Sequence, residues 1–215
     1  MSKQTRAMQD DDKTGPAVLS LLEGEELWGR NCAGCHGIEK MKGVAARFPV
    51  FDLSIKKLIN LDQRINLCRT EQQKAPPFAY ESRELLSLGA YVGRQSRGLP
   101  IEIAITEKTR PFLEAGEAAF RQRRGQLNLS CSQCHDDNWG KSLAGTPVPQ
   151  AHPTGYPLYR LEWQSLGSLQ RRLRNCMIGV RAEPYAYGAQ EYVELELFLM
   201  WRARGMRLET PAVRP

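Results

Sequence analysis

The sequence predicts a mainly α chain made of two tandem units related by internal duplication. Two observations carry this. Two C-x-x-C-H motifs, Cys32-Ala33-Gly34-Cys35-His36 and Cys131-Ser132-Gln133-Cys134-His135, occur 99 residues apart in a chain of 215. Residues 77–100 (PFAYESRELLSLGAYVGRQSRGLP) also overlay residues 184–207 (PYAYGAQEYVELELFLMWRARGMR) without a gap at an offset of 107, with Pro, Ala, Tyr, Glu, Leu, Arg and Gly recurring in place.

Taken in chain order, residues 1–16 form a polar N-terminal extension, 17–105 the first unit and 106–215 the second. Each unit opens with an amphipathic helix that runs toward its motif. Gly24-Glu25-Glu26-Leu27-Trp28 leads to the first motif and Gly116-Glu117-Ala118-Ala119-Phe120 to the second, where the approach is seven residues longer. An irregular middle follows, and then a longer closing helix, over 82–96 in the first unit and 190–204 in the second. Leu85, Leu86, Leu88 and Val92 give the first closing helix an apolar stripe, which Tyr192, Val193, Leu195, Phe198, Leu199 and Trp201 broaden in the second. Gly98 and Gly205 stand where helix ends favour glycine. The stretch 101–110 (IEIAITEKTR) joins the units, and Pro111 starts the next one.

Composition narrows the class. Hydrophobic residues at 41%, aromatics at 8% and a mean hydropathy of -0.48 describe a soluble protein with a modest core, and no apolar run approaches a membrane span. The net charge of +6 suits an acidic partner or an anionic substrate. Nucleic acid is not an expected partner, because no basic run is interleaved with aromatics.

Six cysteines stand at 32, 35, 68, 131, 134 and 176. In C-x-x-C-H both thiols form thioethers to a haem and the histidine ligates its iron, so Cys32, Cys35, Cys131 and Cys134 are expected to anchor two covalently bound haem c groups, with His36 and His135 on the iron. A structural zinc site would bring the two C-x-x-C pairs together, yet here they are far apart and each is followed at once by His. Haem attachment of this kind takes place outside the bacterial cytoplasm, which predicts a periplasmic protein. Residues 1–15 (MSKQTRAMQDDDKTG) lack the apolar core of a secretory signal, so the expectation is a mature form whose leader has been removed. The haem propionates would offset much of the positive charge.

The order of elements resembles the class I cytochrome c fold, in which a first and a last helix cross and the haem lies in the shell between them. That fold usually takes Met as the sixth iron ligand. The methionines are 1, 8, 41, 177, 200 and 206, and Met41 is too near His36 to reach around the ring, so the first unit has none to offer. It does have Cys68, 33 residues after Cys35, and the second unit has Cys176, 42 residues after Cys134. Equivalent places in a duplicated unit point to one role, axial thiolates in His36/Cys68 and His135/Cys176 pairs. The alternatives are a Cys68–Cys176 disulfide or buried free thiols, and, in the second unit, Met177 as the ligand. An anionic sulfur favours ferric iron and a low potential, which suits a site where the sulfur itself reacts.

Arg174-Asn175-Cys176-Met177 followed by residues 179–188 (GVRAEPYAYG) resembles the active-site segment of the SoxA family. The likeness extends through residues 5–12 (TRAMQDDD), 41–47 (MKGVAAR), 63–69 (QRINLCR), 152–157 (HPTGYP), 166–169 (LGSL) and 209–215 (ETPAVRP), essentially the whole chain. It implies the larger, diheme subunit of an L-cysteine S-thiosulfotransferase. Such an enzyme oxidatively joins thiosulfate to a cysteine on the swinging arm of a SoxYZ carrier, releases two electrons and works with a small monohaem SoxX partner. The resemblance assigns the reactive cysteine, commonly a persulfide in the family, to Cys176, and the catalytic arginine, four residues earlier, to Arg172. Arg64 stands four residues before Cys68, where no catalysis is expected, so an arginine at this place has an alternative role as partner of a haem propionate. His152, Arg171 and Arg181 are weaker candidates. The rival functions are a thiosulfate dehydrogenase that couples two thiosulfates into tetrathionate, and a non-catalytic diheme electron-transfer cytochrome.

Overall fold

The structure is a computed structural model that describes residues 2–143 and 145–215. Its helices are α1 (Lys3–Asp10), α2 (Val18–Asn31), α3 (Leu61–Glu71), α4 (Arg83–Arg94), α5 (Arg110–Arg121), α6 (Cys131–His135), α7 (Leu169–Gly179) and α8 (Gln190–Arg202). Short strands lie between them: β1 (Val50–Asp52), β2 (Lys57–Ile59), β3 (Ser142–Leu143), β4 (Thr146–Pro147), β5 (Leu158–Arg160), β6 (Ser165–Gly167) and β7 (Val213–Arg214).

Each unit is organised around a pair of crossing helices, α2 on α4 and α5 on α8. Glycine makes both crossings possible. A Cβ on Gly24 would lie 2.2 Å from the Ser87 carbonyl oxygen, and one on Gly116 would lie 2.1 Å from that of Glu194. The closing helices are shorter than the sequence predicts, because the chain turns out of α4 and α8 before it reaches Gly98 and Gly205, both left-handed at φ +81 and +80. Ser82 starts α4 by accepting a hydrogen bond from the Leu85 amide at 3.2 Å. Leu27, Trp28, Leu88 and Val92 fill the first crossing, and Phe120, Leu195, Phe198 and Leu199 fill the second.

The predicted irregular middle is regular. In the first unit β1 and β2 form an antiparallel hairpin with Val50 opposite Ile59 and Asp52 opposite Lys57, after which Asn60 caps α3. In the second, β5 and β6 pair with Leu158 opposite Gly167 and Arg160 opposite Ser165, after which Ser168 caps α7. Every one of these positions is related to its counterpart by 108 residues. The correspondence includes the left-handed hairpin residues Lys56 and Gln164, at φ 54 and 51. Among the described residues only the second hairpin gains a third strand, β7, which pairs parallel with β5 and makes it the central strand.

The units are fused through a common core. Leu58, Ile101 and Ile103 pack with Val193, Leu197, Met200 and Leu208. The joining segment is part of that core, since Ile101 donates its amide to the Met206 carbonyl and accepts from the Gly205 amide, both at 2.9 Å. The N-terminal helix is tied down as well. Gln9 Oε1 accepts from Arg214 Nη1 at 2.7 Å, and Asp10 pairs with Arg97 at 2.6 Å. Among the described residues, no helix is long and apolar enough to cross a membrane.

Candidate functional site

The second motif is set as one helical turn by a reciprocal cap. Ser130 donates its amide to Gln133 Oε1 at 2.9 Å, and Gln133 returns its own amide to Ser130 Oγ at 3.3 Å. This turn carries Cys131, Cys134 and His135. The Nδ1 of His135 lies 2.6 Å from the Pro149 carbonyl oxygen. A carbonyl only accepts, so Nδ1 carries the proton and Nε2 is left with its lone pair, the arrangement of a metal-ligating imidazole oriented by a backbone acceptor. Burial lowers the proton affinity of the ring, with help from Arg172 and Arg202. The Pro149 contact and Asp136 act in the opposite direction.

Facing this turn is α7, which carries Cys176. Burial pushes the Cys176 thiol up from its ordinary range, Arg172 and Arg160 pull it down, and Cys134 pushes it up again. Cys131, in turn, is pushed up to about 11 by burial and by Cys176. The three sulfurs of the second unit therefore lie near enough to act on one another's ionisation. The seven residues that lengthen the approach to Cys131 close over the far end of α7. Gln126 and Leu127 donate their amides to the carbonyls of Arg181 and Val180, and Gly125, at φ +68, lets the backbones meet where a Cβ would lie 2.1 Å from the Val180 oxygen.

The first unit repeats the plan without the extra loop. Cys35 and His36 donate their amides to the Cys32 carbonyl at 3.0 and 2.9 Å, and the His36 ring centroid lies 6.5 Å from that of Trp28. The Cys32 thiol is pushed up by burial and by Cys68 on α3. Each later cysteine thus lies near its own motif, and all six are free, so the Cys68–Cys176 disulfide is not formed. The reason is architectural: α3 and α7 direct their cysteines into separate units.

The other candidates fall into place around these. Met177 accepts a hydrogen bond at its sulfur from the Tyr192 hydroxyl at 3.4 Å. Arg171 stacks over Trp163 at 4.3 Å and reaches Ser165 Oγ at 3.4 Å. Burial and the charge of Arg202 lower the proton affinity of His152. Arg181 contributes its backbone carbonyl to the loop contact. Arg64 is ion-paired with Asp52. Arg172 differs, since its guanidinium makes no hydrogen bond or ion pair among the described residues. Two groups near Cys176 were not singled out from the sequence, Arg160 on β5 and the half-buried Tyr156, whose phenol is pushed up to about 12 by burial.

The donor set fits the implied haem. Among the described residues no three His, Cys, Asp or Glu side chains gather as ligands for a bare ion. Each unit instead offers two motif thiols, one histidine and one further cysteine sulfur, and in the second unit the histidine keeps its Nε2 lone pair. That is the set a covalently anchored haem needs.

Comparison with known proteins agrees with this chemistry. The family model for the SoxA/TsdA cytochrome c domain matches residues 23–101 and 115–208. The L-cysteine S-thiosulfotransferase subunit SoxA of Pseudaminobacter salicylatoxidans is 32% identical, over 98% of this chain and 77% of that protein. The SoxA subunit of Paracoccus pantotrophus is 31% identical over 98% of this chain and 75% of its own. A chain of the crystal structure of SoxXA from P. pantotrophus superposes with a TM-score of 0.95 at 30% identity, covering all of this chain and 84% of that one.

Proposed function

The chain belongs to the SoxA/TsdA cytochrome c family, whose fold holds covalently bound haem c, and from that premise we propose how it works. It is the catalytic subunit of an L-cysteine S-thiosulfotransferase, active in the periplasm as a heterodimer with a SoxX-like monohaem cytochrome. Its substrates are thiosulfate and a cysteine of a SoxYZ-like carrier. Thiosulfate and the carrier thiol become a cysteine S-thiosulfonate, with one new S–S bond, one proton and two electrons released. When bound, the two haems supply the route by which those electrons leave.

The protein's own groups do the rest. His36 and Cys68 would hold the first iron, His135 and Cys176 the second, and the four motif cysteines would anchor the rings. Pro149 fixes the His135 tautomer through Nδ1. Cys176 is the sulfur at which thiosulfate is met, in thiol or persulfide form. Arg172, one helical turn earlier on α7, binds the sulfonate end by charge-assisted hydrogen bonds. The observation that supports this most directly is that the Arg172 guanidinium, one helical turn from Cys176, is unpaired among the described residues, whereas its first-unit counterpart Arg64 is neutralised by Asp52.

The test is to incubate the haem-loaded heterodimer with thiosulfate, an electron acceptor and the carrier, and to weigh the carrier. One added thiosulfonate per carrier is expected. Tetrathionate formed without any carrier would instead identify a thiosulfate dehydrogenase, and no turnover in either assay would leave an electron-transfer cytochrome. A mass spectrum of the haem-loaded chain counts the haems and any extra sulfur on Cys176.

A further inference from the structure

The duplication shows what was changed to turn one unit into a binding site. Asp52 and Arg160 are the last residues of β1 and β5, in the same register of the same hairpin. Arg64 and Arg172 are the fourth residues of α3 and α7. In the first unit these two positions make an internal ion pair. Asp52 is buried and also accepts from the amides of Ser54 at 2.8 Å and Ile55 at 3.2 Å. In the second unit the aspartate is replaced by arginine, so two guanidiniums stand where a neutral pair stood.

That substitution leaves two like charges in a partly desolvated place. Arg160 is 15% exposed, and burial together with the neighbouring charge of Arg172 lowers its affinity for its own proton. Its position is fixed on three sides: Nε donates to the Pro215 carbonyl at 2.7 Å, Nη2 pairs with the exposed Glu162 at 2.7 Å, and Cζ lies 5.3 Å from the Trp163 ring centroid. Nη1 makes no hydrogen bond among the described residues. Because β5 is the central strand between β6 and β7, this guanidinium is mounted on a rigid element. Arg172 lies one helical turn before Cys176 on α7, and Arg160 holds the hairpin position from which Asp52 reaches Arg64 in the first unit. Glu162 takes up Nη2 alone, so Nη1 of Arg160 and the guanidinium of Arg172, both without a hydrogen bond among the described residues, offer donors from two sides to an anion placed between them, and a dianion matches two guanidiniums in charge.

We propose that Arg160 is a second substrate-positioning residue, which together with Arg172 clamps the sulfonate end of the thiosulfate dianion against Cys176. The clamp rests on the thiosulfate-joining function proposed above and adds a residue and a charge selectivity to it. Thiosulfate and other divalent oxyanions bind in preference to monoanions of similar size.

The experiment uses the haem-loaded heterodimer with Arg160→Asp, Arg160→Lys and the unaltered chain. Arg160→Asp recreates the first unit's ion pair, so the fold has a working precedent for it. It is expected to raise the KM for thiosulfate roughly ten- to a hundredfold, the loss of one charge-assisted contact plus its replacement by a repulsive one, with kcat less affected. The haem absorption spectrum and melting temperature should hold, and Arg160→Lys should recover most of the KM. Calorimetric titration of thiosulfate into the isolated haem-loaded chain gives an arm that does not depend on turnover. Binding by the unaltered chain and its loss in Arg160→Asp supports the clamp even if no carrier is loaded, an outcome that would sink the functional assignment alone. An unchanged KM and unchanged binding in Arg160→Asp overturns the clamp. So does a shifted haem spectrum with KM unmoved, which would assign the arginine pair to haem carboxylates.

Discussion

Tyr80 and Tyr187, equivalent residues of the two units, stack on each other with ring centroids 6.3 Å apart and planes 14° from parallel. The stack lies where the units meet. Gln63 donates through Nε2 to the Gly188 carbonyl at 3.2 Å, and Gly188 donates its amide to Gln170 Oε1 at 2.8 Å. Gly188 is left-handed at φ +79, and a Cβ there would lie 2.5 Å from the Tyr80 hydroxyl. Gly188→Ala is therefore expected to destabilise the protein by about 1–3 kcal/mol through strain and clash together. Denaturant unfolding of the haem-loaded chain checks it, and an unchanged midpoint would mean that the stack yields at no cost.

Cysteine at 176 and cysteine at 68 should respond differently to the same replacement. Methionine keeps a sulfur donor for iron but removes the thiol, so it separates holding the haem from reacting with substrate. Cys176→Met is expected to lower carrier loading by about a hundredfold or more, while Cys68→Met leaves it within about threefold. The readout is the mass of the carrier after reaction. Equal losses in both variants would place the chemistry outside the second unit.

Arginine at 172 and arginine at 64 give a second matched pair. Arg172→Ala should cost roughly ten- to a hundredfold in kcat/KM for thiosulfate while the melting temperature holds, since the side chain makes no hydrogen bond or ion pair among the described residues. Arg64→Ala should do the reverse. It strips the ion pair from Asp52, a buried carboxylate, so the melting temperature falls and turnover does not. Thermal melts and steady-state kinetics on both variants check the contrast.

The opening and closing helices and the motifs were legible in the sequence because their signals are local, whereas α3 and α7 fell in the stretch read as irregular. The stripe of Leu85, Leu88 and Val92 repeats at helical spacing, and C-x-x-C-H announces its own chemistry. The hairpins were not legible, since strands of three residues such as Val50–Asp52 are too short to display an alternation. They were hidden a second way. The closing helices align at an offset of 107 but the hairpins at 108, so extending the first overlay backward sets Arg160 beside Leu53 instead of Asp52. The Pro149 carbonyl that orients His135 had no signal at all, because any residue type supplies a backbone acceptor. Haem ligation and the roles of Cys176 and Arg172 came from spacing and family resemblance, and the unpaired state of Arg172 only from the fold.

Two carboxyls in the seam between the units predict a pH dependence of stability. Asp62 and Glu196 line a cavity of about 60 Å³, and Asn60 Nδ2 donates to Glu196 Oε2 at 2.9 Å. Burial raises Asp62 to about 7, with Glu81 adding to it, and raises Glu196 to about 8. A carboxyl whose folded value is raised is protonated in the fold while the unfolded chain has already released its proton. Its contribution is therefore fully present below about pH 4, the unfolded value, and is lost as pH climbs through 7 and 8. Between pH 5 and 7 each group is expected to remove up to about 1.4 kcal/mol of stability per pH unit. Asp62→Asn and Glu196→Gln should each flatten part of that slope, because neither amide titrates. Denaturant unfolding of the three proteins at pH 5, 6 and 7 measures it. A slope that survives both substitutions would locate the proton uptake elsewhere in the molecule.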